Sequence, residues 1–271
     1  MKKNKMMRAA SALLVATLLS TSIISGTFAK YTTSAEGSDS ARVAKWGIQM
    51  DKGTDMFSDT YDAGKTATVD GNSDKVVAPG TSGSTTYKVT GAPETAYKIT
   101  FANVFTSDVV IEKGATYKYE DTNESNDGKV TYTAPTGNTA KKVENDYYPI
   151  IYTVKVTSAN ATFTGSDVIT KSGDVYGFDK LETALTELNN VTLTYEANKD
   201  ANLEVELAWT WLFDDAKTAP TVTNTVSFTQ IDDKLDTVLG DIKADTDELT
   251  FTGNSSTDIS YKFKMTATQI D

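Results

Sequence analysis

The stretch Leu-Glu-Val-Glu-Leu-Ala-Trp-Thr-Trp, residues 203–211, has a large apolar residue at every odd position. Its even positions hold glutamate, alanine and threonine. Successive side chains of a β-strand point to opposite faces, so this period of two predicts a strand with one face in a core and the other in water. We therefore expect Trp209 and Trp211 to pack inside the protein, with Glu204 and Glu206 on the opposite face.

The same alternation recurs along the chain. Near its end, apolar residues occupy every odd position of residues 259–267: Ile259, Tyr261, Phe263, Met265 and Ala267. Shorter stretches of this type predict strands at residues 43–50, 85–90, 97–104, 116–120, 129–133, 150–157 and 191–196. Abundant threonine, valine and tyrosine favour the pleated, one-sided packing of a sheet.

Two segments follow helical spacing instead. The first contains Phe178, Leu181, Ala184, Leu185 and Leu188, before Asn189 and Asn190. The second contains Leu235, Val238, Leu239 and Ile242, after Asp232 and Asp233, whose charges suit a helix N-terminus. Together the elements predict a mainly β protein: a jelly-roll-like antiparallel β-sandwich with two short peripheral helices, forming a single domain over residues 30–271.

Residues 1–29 are organised like a secretory signal. Basic residues precede an apolar stretch at residues 9–24, and small residues lead to Thr27-Phe28-Ala29. That stretch is shorter than the roughly 20 apolar residues that a membrane span needs, although an uncleaved anchor is the alternative. We expect cleavage between Ala29 and Lys30, no stable membrane insertion afterwards, and a mature chain that is secreted, extracellular or associated with the cell surface.

Composition restricts the classes of function. Removal of residues 1–29 removes four of the 26 basic residues and none of the 37 acidic ones, so the net charge falls from −11 to −15. Such a surface repels phosphate backbones, and we expect no nucleic-acid partner. The chain contains no histidine and no cysteine, which excludes Ser-His-Asp and Cys-His catalysis and removes the usual zinc ligands.

Three groups of residues remain as candidate sites. Residues 121–128, Asp-Thr-Asn-Glu-Ser-Asn-Asp-Gly, alternate oxygen ligands but place glycine two positions late for an EF-hand loop, so a calcium site competes with a solvated turn. Glu204 and Glu206 could hydrolyse a glycoside or could form the wet face of a strand. Trp46, Trp209 and Trp211 could stack on sugars or pack in the core. We expect no catalytic residue, no cofactor, and only weak, non-specific Ca²⁺ binding.

Three segments resemble one known family. Residues 26–33, Gly-Thr-Phe-Ala-Lys-Tyr-Thr-Thr, continued by residues 37–46, Gly-Ser-Asp-Ser-Ala-Arg-Val-Ala-Lys-Trp, resemble the start of the TasA/camelysin family of exported Gram-positive proteins. Ala78-Pro79-Gly80 is similar to the family's K-P-G-[DE] turn before a strand, and residues 261–269 are similar to its closing strand. The middle of the chain matches no motif of that family.

The resemblance implies processing by a signal peptidase of the SipW type and a role as a structural protein of the extracellular or biofilm matrix. It further implies fibre formation, with itself or with related matrix proteins, by donor-strand addition: the N-terminal segment freed by cleavage adds a strand to the next subunit. Carried over to this chain, the extended segment is residues 30–42. The donor strand comprises Lys30, Tyr31, Thr32, Thr33, Ser34 and Ala35 and continues to about Asp39; an N-terminus without a fixed partner is the alternative.

Two other functional classes stay open. A secreted or cell-surface binding module for glycans or host proteins would be a stable monomer with an exposed aromatic patch. A hydrolase would have a cleft with convergent carboxylates of perturbed pKa. The family also includes proteins described as metallopeptidases, but this chain has no histidine and hence no His-Glu-x-x-His motif, so we expect no peptidase activity and no enzyme.

Overall fold

The alternating stretches predicted from the sequence form strands in a computed structural model, which describes residues 42–57, 75–119, 139–212, 219–224, 232–244 and 249–270. The predicted signal, cleavage site and donor strand and the acidic stretch at residues 121–128 lie outside these residues, as does the predicted strand at 129–133. From Lys45 to Asp271 the chain forms one compact unit.

The described residues contain fourteen strands and two helices. In chain order they are β1 (Gln49–Asp51), β2 (Ser82–Thr90), β3 (Tyr97–Ser107), β4 (Val110–Ile111), β5 (Thr116–Tyr119), β6 (Lys141–Lys142), β7 (Ile150–Thr157), β8 (Thr162–Thr164), β9 (Val175–Phe178), α1 (Leu181–Asn190), β10 (Thr192–Tyr195), β11 (Leu203–Trp211), α2 (Asp233–Ala244), β12 (Leu249–Thr252), β13 (Ser255–Ser256) and β14 (Ser260–Gln269).

Two antiparallel sheets supply the main layers. The larger sheet has the order β1-β2-β11-β7-β9, and the second has the order β14-β3-β10-β8. Two small sheets, β12-β5-β6 and β13-β4, accompany them. The predicted fold class, a mainly β antiparallel sandwich with two short helices, is confirmed by this arrangement.

Strand β11 lies at the centre of the larger sheet, paired with β2 on one side and with β7 on the other. Its apolar row is fully in the core, because Leu203, Val205, Leu207, Trp209 and Trp211 are each at most 5% exposed. The opposite face carries Glu204, whose carboxylate pairs with Lys88 Nζ at 2.7 Å. Both predicted placements, tryptophans inside and glutamates on the other face, are confirmed.

The second sheet contributes the facing half of the core. Tyr97, Ile99 and Leu193 are fully buried, and the rings of Tyr97 and Tyr195 stack with centroids 4.7 Å apart. The Tyr97 hydroxyl donates a hydrogen bond to Lys199 O at 2.9 Å, so the buried phenol is not left unsatisfied.

Both predicted helices are present. Helix α1 buries Leu181, Ala184, Leu185 and Leu188 and packs mainly on β3; helix α2 buries Val238 and Leu239. The prediction that Phe178 belongs to the first helix is wrong. Phe178 ends β9 and pairs with Tyr152, and the helix begins three residues later.

The strand predicted at residues 43–50 is also too long. Extended pairing starts only at Gln49, because Gly47 has a φ of +37°, which interrupts the extended backbone. The first strand is therefore a three-residue edge.

Two carboxylates, half-buried Asp108 and buried Asp236, hold the two helices against the sandwich. Asp108 Oδ2 accepts the N–H of Leu181, the first residue of α1, at 2.9 Å, and its Oδ1 accepts the Tyr152 hydroxyl at 2.5 Å. On α2, Asp236 Oδ1 accepts the Tyr147 hydroxyl at 2.5 Å. Burial raises the pKa of Asp108 and of Asp236 to about 6 in each case, and the hydrogen bonds offset only part of that effect.

These raised pKa values predict lower stability at neutral than at acidic pH. Below about pH 3 both carboxyl groups are protonated in the folded and the unfolded chain; between about pH 3 and pH 6 the unfolded chain ionises first, so the free energy of unfolding falls. We expect a loss of roughly 2 kcal/mol for each group between pH 4 and pH 7, measured by urea unfolding.

A double variant that replaces both carboxyl groups tests this assignment. The double variant Asp108→Asn/Asp236→Asn should flatten this pH dependence, whereas Asp167→Asn, at an exposed position, should leave it unchanged. An unaltered slope in the double variant would contradict the assignment.

Candidate functional site

The side chains of β14 that face the core are much less buried than the core-facing side chains of β11. Tyr261, Phe263, Met265 and Ala267 all face the core side, yet each is only half-buried. Strand β14 is the last strand of its sheet, and among the described residues only β3 pairs with it. The sandwich is therefore open along this edge.

A groove of about 650 Å³ follows the open edge. One wall is the inner row of β14, and the other is formed by the end of β1, by residues 52–57, which we call the strap, and by β2. The apolar side chains that line it are Met50, Met56, Phe57, Tyr87, Ile259, Tyr261, Phe263 and Met265.

Aromatic side chains fill one end of the groove. The Tyr87 ring lies 5.2 Å from that of Phe263, and the Phe57 ring lies 6.3 Å from that of Tyr261 and 5.7 Å from that of Trp209. The Tyr87 and Tyr261 hydroxyls are 2.9 Å apart and share a hydrogen bond. Burial raises the pKa of Tyr261 well above its usual value, and the bond to Tyr87 adds to the effect, so the phenol stays neutral at physiological pH.

The strap is held by side chains of the larger sheet. The Thr85 hydroxyl donates to Thr54 O at 2.5 Å, and Trp209 Nε1 donates to Met56 O at 3.0 Å. Met56 is 3% exposed. The strap thus closes part of the gap between the sheets, and the groove is the space that remains between the strap and β14.

The backbone of β14 offers hydrogen-bonding groups along the groove. Ile270 N–H donates to Ala96 O, so in this antiparallel ladder the even-numbered residues 264–268 direct their N–H and C=O groups to β3. The peptide groups of Met265, Ala267 and Gln269 point away from β3, and no described strand pairs with them. An extended peptide could pair with this edge.

The other edge strands of the two main sheets are short or covered. On β9, the Asn224 side chain forms two hydrogen bonds of 2.8 Å, accepting the Gly177 N–H and donating to Gly177 O. Thr223 N–H donates to Val175 O at 2.7 Å. A side-chain amide thus takes the place of a neighbouring strand there, and β1 and β8 are only three residues long.

The rim of the groove is rich in lysine although the protein is acidic. Asp55 pairs with Lys75 and Lys52 at 2.5 and 3.3 Å, and the hydrogen bond from Lys75, followed by that from Lys52, lowers the pKa of Asp55. Lys262 and Lys264, on the outer face of β14, are exposed and form no ion pair with any described carboxylate. The rim therefore carries excess positive charge.

The other candidate residues occupy separate places. Glu204 is engaged with Lys88, and Trp209 and Trp211 are core residues, so neither group forms a cleft. Trp46 is 39% exposed and meets Tyr97 edge-on at 6.2 Å. The described residues contain no group of three or more acidic side chains arranged to hold a metal ion, and none of their helices has the length and apolarity of a membrane span.

Sequence reasoning found β14 but not the groove. Phe57 and Tyr87, which complete its aromatic end, were not identified as site residues, since Phe57 stands in a polar segment and Tyr87 was predicted only as part of a strand. Both residues contact side chains of the second sheet. The periodicity of a single segment does not predict such contacts.

No protein-family model, no curated protein and no solved structure matches the chain. The resemblance to the TasA/camelysin family therefore stays a prediction, and the groove is interpreted from its own geometry.

The difference in burial between the two rows predicts unequal effects of truncation in the isolated subunit. Leu207→Ala, in the closed core, should lower the free energy of unfolding by about 3 kcal/mol. Met265→Ala, on the groove, should lower it by only about 1 kcal/mol, because its side chain is already partly in water. Urea unfolding of the two variants measures the contrast, and equal losses would show that the groove is not open.

Proposed function

We propose that this protein is a secreted structural protein of the extracellular matrix that assembles into fibres by strand addition. The observation that carries the proposal is the combination on β14 of a half-buried apolar row with peptide groups that no described strand pairs. An added extended segment would supply hydrogen-bond partners for these peptide groups and would cover the apolar row.

The proposed occupant is the N-terminal segment of a second copy, residues 30–39. Cleavage after Ala29 would free it, and its length fits. Ten extended residues span about 34 Å at about 3.4 Å per residue, and β14 also has ten residues. Tyr31, Thr33 and Ala35 would share the face toward the groove.

The energetic support comes mainly from the backbone. Each added hydrogen bond contributes about 0.5–1.5 kcal/mol net, and covering Phe263 and Met265 adds apolar burial. Only Tyr31 is large among the groove-facing donor residues, so pairing along the edge contributes most. Assembly then relies on a signal peptidase of the SipW type to expose the donor, and on copies of the chain or related matrix proteins as partners.

A second candidate function is a binding module for glycans or host proteins. The aromatic cluster of Phe57, Tyr87, Tyr261 and Phe263 favours it, because aromatic faces can stack on sugar rings. Such a module would remain a monomer with its groove filled by ligand, whereas the matrix protein fills the groove with a neighbour. We propose no catalytic role, since the groove contains no convergent pair of free carboxylates among its described residues: Asp55 is paired with two lysines.

The donor hypothesis predicts loss of assembly without the N-terminal segment. A mature chain that begins at residue 40 should stay monomeric, whereas the chain beginning at Lys30 should form filaments when concentrated, as observed by electron microscopy and sedimentation. A chain with extra residues before Lys30 should also fail to polymerise.

Thermal unfolding serves as the control, because both altered chains should keep the melting temperature of the intact monomer. Filament growth at an undiminished rate by the chain lacking residues 30–39 would refute donor-strand assembly. A monomeric intact chain that binds glycans would favour the binding module.

A further inference from the structure

Side-chain size changes in one direction along the groove face of β14. From the N-terminal end, Tyr261 and Phe263 are large aromatic residues, Met265 is intermediate and Ala267 is small. The aromatic end is further filled by Phe57 and Tyr87. The side chains of β14 itself therefore occupy less of the space beside the strand toward Ala267, which lies one place in this row beyond the groove lining.

Charge is also distributed unevenly on the outer face of the same strand. Lys262 and Lys264 stand at one end, and Thr266 and Thr268 stand at the other. Both lysines are without an ion-pair partner among the described residues. An acidic side chain on an added strand would therefore be stabilised near Lys262 or Lys264.

The donor segment has the complementary gradients. If it is extended, its groove-facing residues decrease in size along the chain, in the order Tyr31, Thr33, Ala35 and Gly37. Its outward-facing residues change from basic to acidic, from Lys30 through Thr32 and Ser34 to Glu36.

Resting on the proposed function, we infer that the donor of a second copy lies antiparallel to β14, with Tyr31 opposite Ala267 and Glu36 opposite Lys262. In this register each large side chain meets a small one: Tyr31 beside Ala267, Thr33 beside Met265, Ala35 beside Phe263, and Gly37 beside Tyr261. Interdigitation of large and small residues is the condition for dense packing between facing rows.

The same register agrees with the hydrogen-bonding pattern. The peptide groups of Met265 and Ala267 point away from β3, so Thr33 and Tyr31 would form the hydrogen-bonded pairs with them. Glu36–Lys262 and Ser34–Lys264 are then non-hydrogen-bonded pairs, in which opposite side chains come closest. Glu36 and Lys262 thus define the register through charge, and the two gradients define the direction.

A parallel donor fits the groove less well. With Glu36 opposite Lys264, Tyr31 would lie beside Ile259 and Thr33 beside Tyr261, next to the large side chains of Phe57 and Tyr87. The space beside Ala267 would receive only the segment beyond Gly37. The parallel arrangement also places Ser34 opposite Lys262 instead of Lys264, which makes the two directions distinguishable.

Disulfide cross-linking tests the direction of the donor strand. Because the chain has no native cysteine, only the introduced pair can form a disulfide. Opposite Cα atoms in a non-hydrogen-bonded antiparallel pair are about 4.5 Å apart, within the range of about 4.4–6.8 Å that disulfides accept. We expect Ser34→Cys/Lys264→Cys filaments to give covalent ladders on mild oxidation, and the matched variant Ser34→Cys/Lys262→Cys to give few.

The reverse pattern would establish a parallel donor and overturn the inference. Filaments that form but cross-link in neither variant would overturn the register while leaving strand addition intact. A wild-type chain that forms no filaments would refute the proposed function itself, so the two failures are separable.

Charge reversal tests the Glu36–Lys262 pair. We expect Glu36→Lys to slow filament growth about twofold to fivefold at low salt, which corresponds to a cross-strand ion pair. Adding Lys262→Glu should restore the rate, and adding Lys264→Glu should restore it less. Equal rates in wild type and Glu36→Lys, or better rescue by Lys264→Glu, would overturn the pairing.

Discussion

The burial of Trp209, near the end of β11, determines the geometry of the rest of the molecule. Its indole ring is 1% exposed, and its Nε1 donates to Met56 O, so the strap must cross the sheet at this point. Gly83 permits that crossing, because a Cβ there would lie 2.5 Å from Met56 O and 2.6 Å from Trp209 Nε1. With the strap fixed in this way, the sandwich is closed on one side of Phe57 and open on the other, toward β14.

An open edge of this kind is costly for an isolated protein. Unpaired strands recruit other chains, and natural sheets usually shorten, charge or cover them. This chain covers β9 with Asn224 and keeps β1 and β8 to three residues. Strand β14 instead extends over ten residues beside an apolar groove, and only its lysines oppose unspecific pairing. The difference between β14 and the other edge strands supports the proposal that a specific neighbouring chain pairs with β14.

The spacing of apolar residues predicts those strands and helices that face the core with the same side along their whole length. Strands β11 and β14 alternate because one face of each meets the core, and α1 follows its four buried residues. The predictions are wrong where a residue distant in the sequence determines the local structure. Phe178 matches the helical spacing of α1, but the carboxylate of Asp108 fixes the helix start at Leu181. The apolar row of β14 gave no sign that it would remain half-buried, because its cover depends on how far β1 and the strap extend across the gap.

The buried carboxylates show why perturbed pKa values alone would mislead about function here. Raised values for acidic groups often mark active sites, yet Asp108 and Asp236 each face a tyrosine hydroxyl and hold a helix in place. Neither belongs to the groove lining. Their energetic cost is that of docking α1 and α2 on the sandwich. Strand β14, by contrast, combines a half-buried apolar row with peptide groups that no described strand pairs. In the proposed strand addition, main-chain pairing would hold the added chain on this surface, and side-chain size and charge would select the direction in which it lies.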